Sequence, residues 1–386
     1  LKTVTSHYEV LGVGPSAEID TVRKAYRRLA QKHHPDVSKD PRAHENMARI
    51  NEAFETLMDP DRRSEYDAML AGEQRTPDPA AAAPRRPVVV KLLQRLSGHK
   101  TPIYASTFAP DSGQLITGGF DNELIWWDDK GQPIRKTKMD QGVVATLRAF
   151  SLDRVMAAGS AENQVNFSRL DEEKVDYWKT ASEEWVGSVA ISPDGQKVAT
   201  GSIYNTLSVI DTETNECLYR SAAHDGSLMS VAWSWDGKML ASGGSDAKVY
   251  LYDGETGETR GQLRQLRSAV TAIAFSPNTR YLAAACVDLS IRVFDLSNGE
   301  LVKMMFGHTK VIEALAFHPN SWLFASASRD GSVGLWNAAK GIGNVRIDAS
   351  ARPISTVSFS FDGSKLAAGG QDKLVRIWQV MAKEAA

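Results

Sequence analysis

With 386 residues, 42% of them hydrophobic, the chain is long and apolar enough for two or three domains with real cores. A formal net charge of −2 excludes a global field that would pull it to nucleic acid or to a membrane surface. No apolar run reaches transmembrane length, so membrane insertion is not expected, and no signal peptide is visible. The first periodic segment runs from Ala17 to His33. At the helical period Ile19, Val22, Tyr26, Leu29 and Ala30 fall on one face, and Lys24, Arg27 and Arg28 on the opposite one, with Arg23 and Lys32 at its margins. Ser16 can cap this helix, and Glu18 and Asp20 suit the positive dipole end of its first turn. Pro35 stops it by disfavouring a helical conformation at His34. A second apolar stripe follows in Met47, Ile50, Phe54 and Leu57. The two stripes match in length, which predicts an antiparallel helical hairpin with His34-Pro35-Asp36 in its loop. Asp59-Pro60 ends the second helix, and a short third helix is predicted over Asp61–Met69, with Tyr66 and Leu70 turned inward.

This stretch resembles a DnaJ-type J-domain. The matching residues are Tyr8-Glu9-Val10-Leu11-Gly12-Val13, Arg23 to Ala30, His34-Pro35-Asp36, Ile50 to Leu57, and Asp61-Arg62-Arg63-Ser64-Glu65-Tyr66-Asp67, in the family's order and spacing. J-domains dock on the 70-kilodalton heat-shock ATPase and speed its ATP hydrolysis, which traps a client. Carried over by position, the resemblance implies a docking face of Lys24, Tyr26, Arg27 and Arg28, with Arg23 beside it, and an essential loop of His34, Pro35 and Asp36. The chemistry fits that role. A basic face steers toward an acidic partner surface. Asp36 can accept a charge-assisted hydrogen bond from an arginine across the interface. Pro35 limits the freedom of the loop and so lowers the ordering cost of binding. Val37 follows the tripeptide where the family often has a basic residue.

Residues 72–87 show no apolar periodicity, and their prolines favour extended, semi-stiff conformations. They read as a linker between a J-domain over 1–71 and whatever follows. The best-known members of the family place a Gly/Phe-rich segment here, then a cysteine-rich zinc module. This chain has neither, so a self-contained, general-purpose client-binding chaperone is not expected.

From residue 88 the sequence repeats with a period near 42. Each unit ends on an apolar or aromatic residue followed by a polar one: Trp127-Asp128, Leu170-Asp171, Ile210-Asp211, Tyr252-Asp253, Phe294-Asp295, Trp336-Asn337 and Trp378-Gln379. Within the units, short alternating apolar runs are split by turns such as Ser192-Pro193-Asp194-Gly195, Ser234-Trp235-Asp236-Gly237 and Ser360-Phe361-Asp362-Gly363, which predicts four strands per unit. The pattern resembles a seven-bladed WD-repeat propeller over 88–383. Gly98-His99, Ala223-His224 and Gly307-His308 match the family's Gly-His position. The run Val88 to Leu96 is expected to supply the outer strand of the last blade and close the ring, which removes free sheet edges. Blade two, near Gly142 to Asp171, is the most degenerate.

Three blades carry a recurring polar set: His99, Thr117, Asp121 and Trp127; His224, Ser242, Asp246 and Tyr252; His308, Ser326, Asp330 and Trp336. Such a set invites a catalytic-triad reading. Its recurrence argues for a structural role instead, because a catalytic site is built once, whereas a hydrogen-bonded chain can pin strand register in every blade. No Walker-type loop or His-Glu-x-x-His occurs, and Gly12-Val13-Gly14 lacks the strand context of a dinucleotide fingerprint. No enzyme activity, cofactor or metal site is expected. Cys217 and Cys286 have no partner at metal-ligand spacing and read as free thiols of a reducing compartment. The cytosol is the default. An organelle stroma or matrix is the rival, because the chain begins at Leu1 and a transit peptide could have been removed.

The resemblances together imply a co-chaperone in a multidomain architecture, all-α then all-β. The J-domain brings the heat-shock ATPase to a specific client or assembly held by the propeller. The alternative is a scaffold subunit of a large complex, ciliary, ribosomal or photosynthetic, in which both domains only dock proteins. Trp178, Trp185 and Trp322 lie outside the regular repeat positions and are candidate exposed anchors, with local core packing as the competing expectation.

Overall fold

A computed structural model describes residues 7–15, 17–33, 43–58, 63, 88–139, 144–151, 153–161, 164–171, 174–181, 185–222, 224–339 and 342–382. The chain divides into two compact units, Leu1–Pro84 and Arg85–Ala386.

The first unit is helical. Helix α1 spans His7–Leu11, α2 Ile19–His33 and α3 Ala43–Met58. Helix α1 was not among the sequence expectations; Tyr8 and Leu11, one turn apart, are its buried residues. Gly12 ends it in the left-handed region at φ +65°, and the N–H of Val13 bonds back to the Tyr8 carbonyl at 2.9 Å. Val22 and Ala25 of α2 pack with Ile50, Ala53 and Leu57 of α3 and with Tyr8 and Leu11 of α1. The i, i+3, i+4 spacing of these residues makes one apolar stripe per helix, and burying both stripes on each other holds the pair. Ile19 was expected on that stripe. At the first residue of α2 it falls outside the cluster and is 41% exposed. Arg63, just beyond α3, donates to the carbonyl of Pro15, just before α2. The end of α3 therefore lies beside the start of α2, and the two helices run antiparallel. The expected third helix over Asp61–Met69 lies outside the described residues except for Arg63.

The second unit is all β. Its described strands form seven four-stranded antiparallel sheets. Each sheet takes four consecutive strands, except that the last combines Ile354–Phe359, Lys365–Gly370 and Leu374–Ala382 with the early strand Val88–Ser97. That strand runs antiparallel to Leu374–Ala382, from Val88 opposite Ala382 to Ser97 opposite Leu374. The first and last blades also meet at the centre, where Ser106 Oγ lies 3.1 Å from Thr356 Oγ1 and 2.9 Å from Ser358 Oγ. The ring is closed.

The core is divided among seven clusters, each shared by two neighbouring blades. A single four-stranded sheet cannot bury its own faces, so each blade depends on the next. The second strand of a blade is covered on both sides and reads as a continuous run of apolar and small residues. In Tyr281–Cys286 all six residues are buried. Inter-blade hydrogen bonds repeat as well: the Val231 N–H donates to Ser188 Oγ at 3.0 Å, and the Ile273 N–H to Ser230 Oγ at 3.1 Å.

The Ser-x-Asp-Gly turns follow from local chemistry. Ser234 Oγ donates to Asp236 Oδ1, which also accepts from the Lys238 N–H, while Ser234 Oγ accepts from the Met239 N–H. Gly237 supplies the positive φ of +72°. A more demanding glycine is Gly331 in blade six. It sits at φ +82°, and a Cβ there would lie 1.9 Å from the backbone oxygen of Ser350. Gly331→Ala is therefore expected to destabilise the propeller by about 3 kcal/mol, combining left-handed strain with a backbone clash. The check is the urea midpoint at unchanged m-value.

Candidate functional site

Helix α2 separates its two faces cleanly. Arg23, Lys24 and Arg28 are exposed. Arg27 lies in the same helix, but its side chain is outside the described residues, as are His34, Pro35 and Asp36. Tyr26 sits apart from the exposed cations. Its ring stacks on Phe54 of α3 with centroids 3.9 Å apart, and its hydroxyl donates to Asn51 Oδ1 at 3.1 Å. The side chain thus fixes the spacing of α2 on α3 while the cations point elsewhere. At the other end of the unit the Arg63 guanidinium bonds the Tyr8 hydroxyl at 3.0 Å and lies over the Tyr8 ring. The exposed side of α2 is a positive strip on a packed helix, and it can attract an acidic surface without reordering its own backbone.

The propeller's polar sets are wired as hydrogen-bond chains. In blade one the Trp127 indole N–H donates to Thr117 Oγ1 at 2.8 Å, that oxygen lies 2.9 Å from His99 Nε2, and His99 Nδ1 lies 3.2 Å from Asp121 Oδ1. Blade four repeats the chain through Tyr252, Ser242, His224 and Asp246, and blade six through Trp336, Ser326, His308 and Asp330. One assignment uses every donor: indole or phenol to hydroxyl, hydroxyl to Nε2, and Nδ1–H to carboxylate. In blade one this leaves His99 neutral beside an ionised Asp121. Burial indeed pushes His99 below its ordinary value, outweighing the pull of Asp121. Each aspartate also accepts the backbone N–H that follows the histidine, at Lys100, Asp225 and Thr309. No member of a chain is left exposed to act on a substrate, so these sets hold strands rather than react.

Two blades without the histidine replace it by a device that the sequence analysis missed. In blade five Arg292, 3% exposed, reaches Asp288 at 2.7 Å. In blade seven Arg376 reaches Asp372 at 2.6 Å, and Ser350 takes the histidine's place on the same carboxylate at 2.7 Å. The readable signal was the recurring Asp-x-x-x-Arg spacing. Cys286 lies beside Arg292, and burial pushes its thiol up to about 11, so it is unreactive; Cys217 is exposed, and both are free.

These aspartates make stability depend on pH. Burial opposes ionisation of Asp121, Asp246 and Asp330, but histidine and backbone donors, joined at Asp330 by the Ser332 hydroxyl, outweigh it and hold all three below the ordinary 3.8. A carboxyl with a lowered folded-state pKa releases its proton more readily in the folded chain. Its contribution is complete above the ordinary value and is lost as pH falls through the lower folded values. The urea midpoint is therefore expected to decline as pH falls below about 6.5, where the unfolded chain takes up protons that the buried His99 and His318 resist, and to fall further below about pH 4, where the aspartates lose their contribution. A midpoint that stays level into that acid range would contradict this wiring.

One end of the propeller carries large exposed apolar side chains. Phe120, Ile203 and Val287 occupy equivalent turns, each donating its N–H to the loop before an innermost strand, at Pro102, Trp185 and Ala269. Their neighbours Trp185 and Tyr204 are 53% and 57% exposed. Lys100, Lys310, Arg352 and Lys373 are exposed on the same end. Of the three candidate anchors, Trp185 is solvent-facing. Trp322 is half-buried, with its ring edge-on to Tyr281 at 5.2 Å. The side chain of Trp178 lies outside the described residues.

The comparisons with known proteins fall on the same two units. A model of the DnaJ domain matches residues 6–67. A model of the WD domain, G-beta repeat, matches residues 90–128, 177–211, 215–253, 260–295, 299–337 and 345–379, together more than half of the chain. The gap between 128 and 177 holds blade two, whose four strands the structure nevertheless contains. Curated relatives align with the N-terminal unit. The chaperone protein DnaJ of Dictyoglomus thermophilum is 49% identical over 67 residues, 17% of this chain and 17% of that protein. The chaperone protein DnaJ 1 of Aquifex aeolicus is 47% identical over 70 residues, 18% of this chain and 19% of that protein. The DnaJ of Thermosynechococcus vestitus is 53% identical over 60 residues, 16% of each. The chain spans less than a fifth of the length of these relatives.

Proposed function

Because the chain belongs to the WD-repeat family and carries a DnaJ domain at its N-terminus, we propose that it is a targeting co-chaperone. The DnaJ domain recruits a 70-kilodalton heat-shock ATPase and stimulates its ATP hydrolysis. The propeller holds the protein on which that ATPase acts. The chain supplies no catalytic step or cofactor of its own. The observation that carries this reading is the DnaJ match itself, which includes His34-Pro35-Asp36, together with the exposed Arg23, Lys24 and Arg28 on a helix packed through its other face. Docking is through Arg23, Lys24, Arg27 and Arg28, with Tyr26 setting the helix that presents them and His34, Pro35 and Asp36 forming the contact loop.

The apolar end of the propeller supports a protein partner rather than a nucleic acid. Phe120, Trp185, Ile203 and Tyr204 offer apolar anchors, and the surrounding Lys100, Lys310, Arg352 and Lys373 favour an acidic segment. The test is single-turnover ATP hydrolysis by a purified 70-kilodalton heat-shock ATPase that responds to a control J-domain. A severalfold rise on adding the full chain is expected. An unchanged rate, with the control active and the chain folded, would remove the chaperone step and leave a docking scaffold.

A further inference from the structure

The end of the propeller that carries Phe120 and Trp185 is not uniform around the ring. One backbone position recurs there. The residue after the second strand of a blade donates its N–H to the loop before the first strand: Phe120 to Pro102, Ile203 to Trp185, Ser245 to Ser227, Val287 to Ala269, Arg329 to Val311 and Gln371 to Pro353. Blade three adds Trp185 and Tyr204 beside Ile203, and blade four adds Met229, 41% exposed. These four side chains make one patch. The Ile203 carbonyl accepts from Ser227 Oγ of the next blade. The exposed Gly187 lies against both Ile203 and the Leu228 carbonyl, which leaves the floor between them open. In the described loops of blades three and four the one lysine or arginine, Lys248, is paired with Asp225.

Across the ring the chemistry changes. Lys310, Arg352, Lys373 and Lys100 are exposed at blades six, seven and one, and Arg264 and Arg267 in the loop that leads into blade five. Among the described residues none of these cations has an ion pair. The acidic groups of the same turns are already engaged: Asp121 and Asp330 by histidine, Asp288 and Asp372 by buried arginine, and Glu313 by Arg329. The unbalanced charge on this arc is therefore positive. In a ring of seven, blade seven stands opposite blades three and four, so the basic arc faces the apolar patch across the mouth.

This separation selects the kind of partner. A nucleic-acid strand alternates phosphate and base at every nucleotide, so it needs cations interleaved with aromatic rings. A polypeptide can gather acidic residues in one block of a segment and apolar residues in another, and each block then matches one arc. We propose that this end of the propeller binds an extended client segment in two parts, an acidic block across Lys310, Arg352 and Lys373 and an apolar block on Trp185, Ile203, Tyr204 and Met229. The proposal rests on the reading of the propeller as the unit that holds the client. The apolar patch supplies affinity by removing area from water. The basic arc attracts the segment at a distance and sets the direction in which it lies.

The experiment is a selection of displayed random peptides of about 16 residues, about 50 Å when extended, on the immobilised full chain, followed by fluorescence anisotropy of the best binder. Enriched peptides should hold their acidic and their apolar residues in separate blocks. Two double variants, all at exposed positions, then divide the face. Lys310→Glu with Lys373→Glu should weaken the binder about tenfold or more and remove most of its sensitivity to salt between about 50 and 300 mM. Trp185→Ser with Tyr204→Ser should weaken it by a similar factor and leave the salt sensitivity in place. No enrichment, or enriched peptides without an acidic block, would overturn the proposal. So would a binder that both double variants hold as tightly as the unaltered chain, which would place it elsewhere, such as on Lys24 and Arg28 of the helical unit. Tighter binding of an oligothymidylate or of phosphatidylserine vesicles than of any selected peptide would overturn it as well. Stimulation of ATP hydrolysis is read in a separate assay. Its absence with the peptide results intact removes the chaperone step alone, and its presence without peptide selection removes this site alone.

Discussion

Asp36→Asn is expected to leave the chain folded and to remove the stimulation of ATP hydrolysis proposed for it. The replacement keeps the size and one acceptor oxygen of the side chain but deletes its charge. A hydrogen bond from an arginine to a carboxylate contributes about 1.5–3 kcal/mol, against about 1 kcal/mol for a neutral pair. The variant should therefore lose on the order of tenfold or more in apparent affinity for the heat-shock ATPase, and the rate at a fixed low concentration of chain should return to the unstimulated value. Two companion readings separate this from damage. The propeller's melting curve should be unchanged, because Asp36 belongs to the other unit. Stimulation by the unaltered chain should weaken with added salt, since exposed charges such as Lys24 and Arg28 are screened within about 10 Å at 0.1 M ionic strength. Equal stimulation by the variant and the unaltered chain would detach the tripeptide from the function.

Asp330→Ala has the largest expected effect on stability. The Asp330 side chain is 3% exposed. It accepts from His308 Nδ1, from the backbone N–H of Thr309, and from both the N–H and the hydroxyl of Ser332. Truncation strips the acceptor from the buried His308 and Ser332 groups, which lie 3.0 Å apart and can satisfy each other only in part, while the exposed Thr309 N–H can turn to water. Each unsatisfied donor costs about 1–3 kcal/mol, and local water relieves part of the sum, so a loss of about 3–4 kcal/mol is expected. Asp330→Asn keeps an acceptor oxygen and should recover about half of that loss. A chemical denaturation series on the two variants decides the matter. Equal losses for alanine and asparagine would mean that the charge, rather than the acceptor, holds blade six. A negligible loss for both would mean that the chain of bonds does not support the blade.

Much of this molecule is legible in its residues. The helical stripes of Val22, Tyr26 and Leu29 and of Ile50, Phe54 and Leu57 are readable because a period of 3.6 leaves few other ways to hide them. The blades are readable because the same turn chemistry returns every 42 residues or so, from Ser192-Pro193-Asp194-Gly195 to Ser360-Phe361-Asp362-Gly363. Blade two is the informative exception. It lacks a repeat match, yet Arg154–Ala161 and Gln164–Asp171 still pair over eight residues, because its neighbours on either side dictate where a sheet must stand. Helix α1 escaped because five residues carry too short a period to register against the turn that follows.

The arginines were harder to read for a different reason. Arg148, Arg292 and Arg376 all lie in strands, where alternation tells that successive side chains point to opposite faces. Alternation alone assigns neither face to the propeller's central channel, to the next blade or to solvent. Arg292 pairs with Asp288 and Arg376 with Asp372 in two blades that lack the histidine, and Arg148 lines the channel. The same limit separates Trp185, left exposed, from Trp322, packed on Tyr281. The sequence by itself determined the two units, the antiparallel helices, the seven repeats and the hydrogen-bonding residue types of the blades, because these follow from local periods and turn chemistry. Only the tertiary structure decided which side chains meet across blades and which face the axis, because ring closure, a contact between residues 250 and 252 positions apart, sets where each face points.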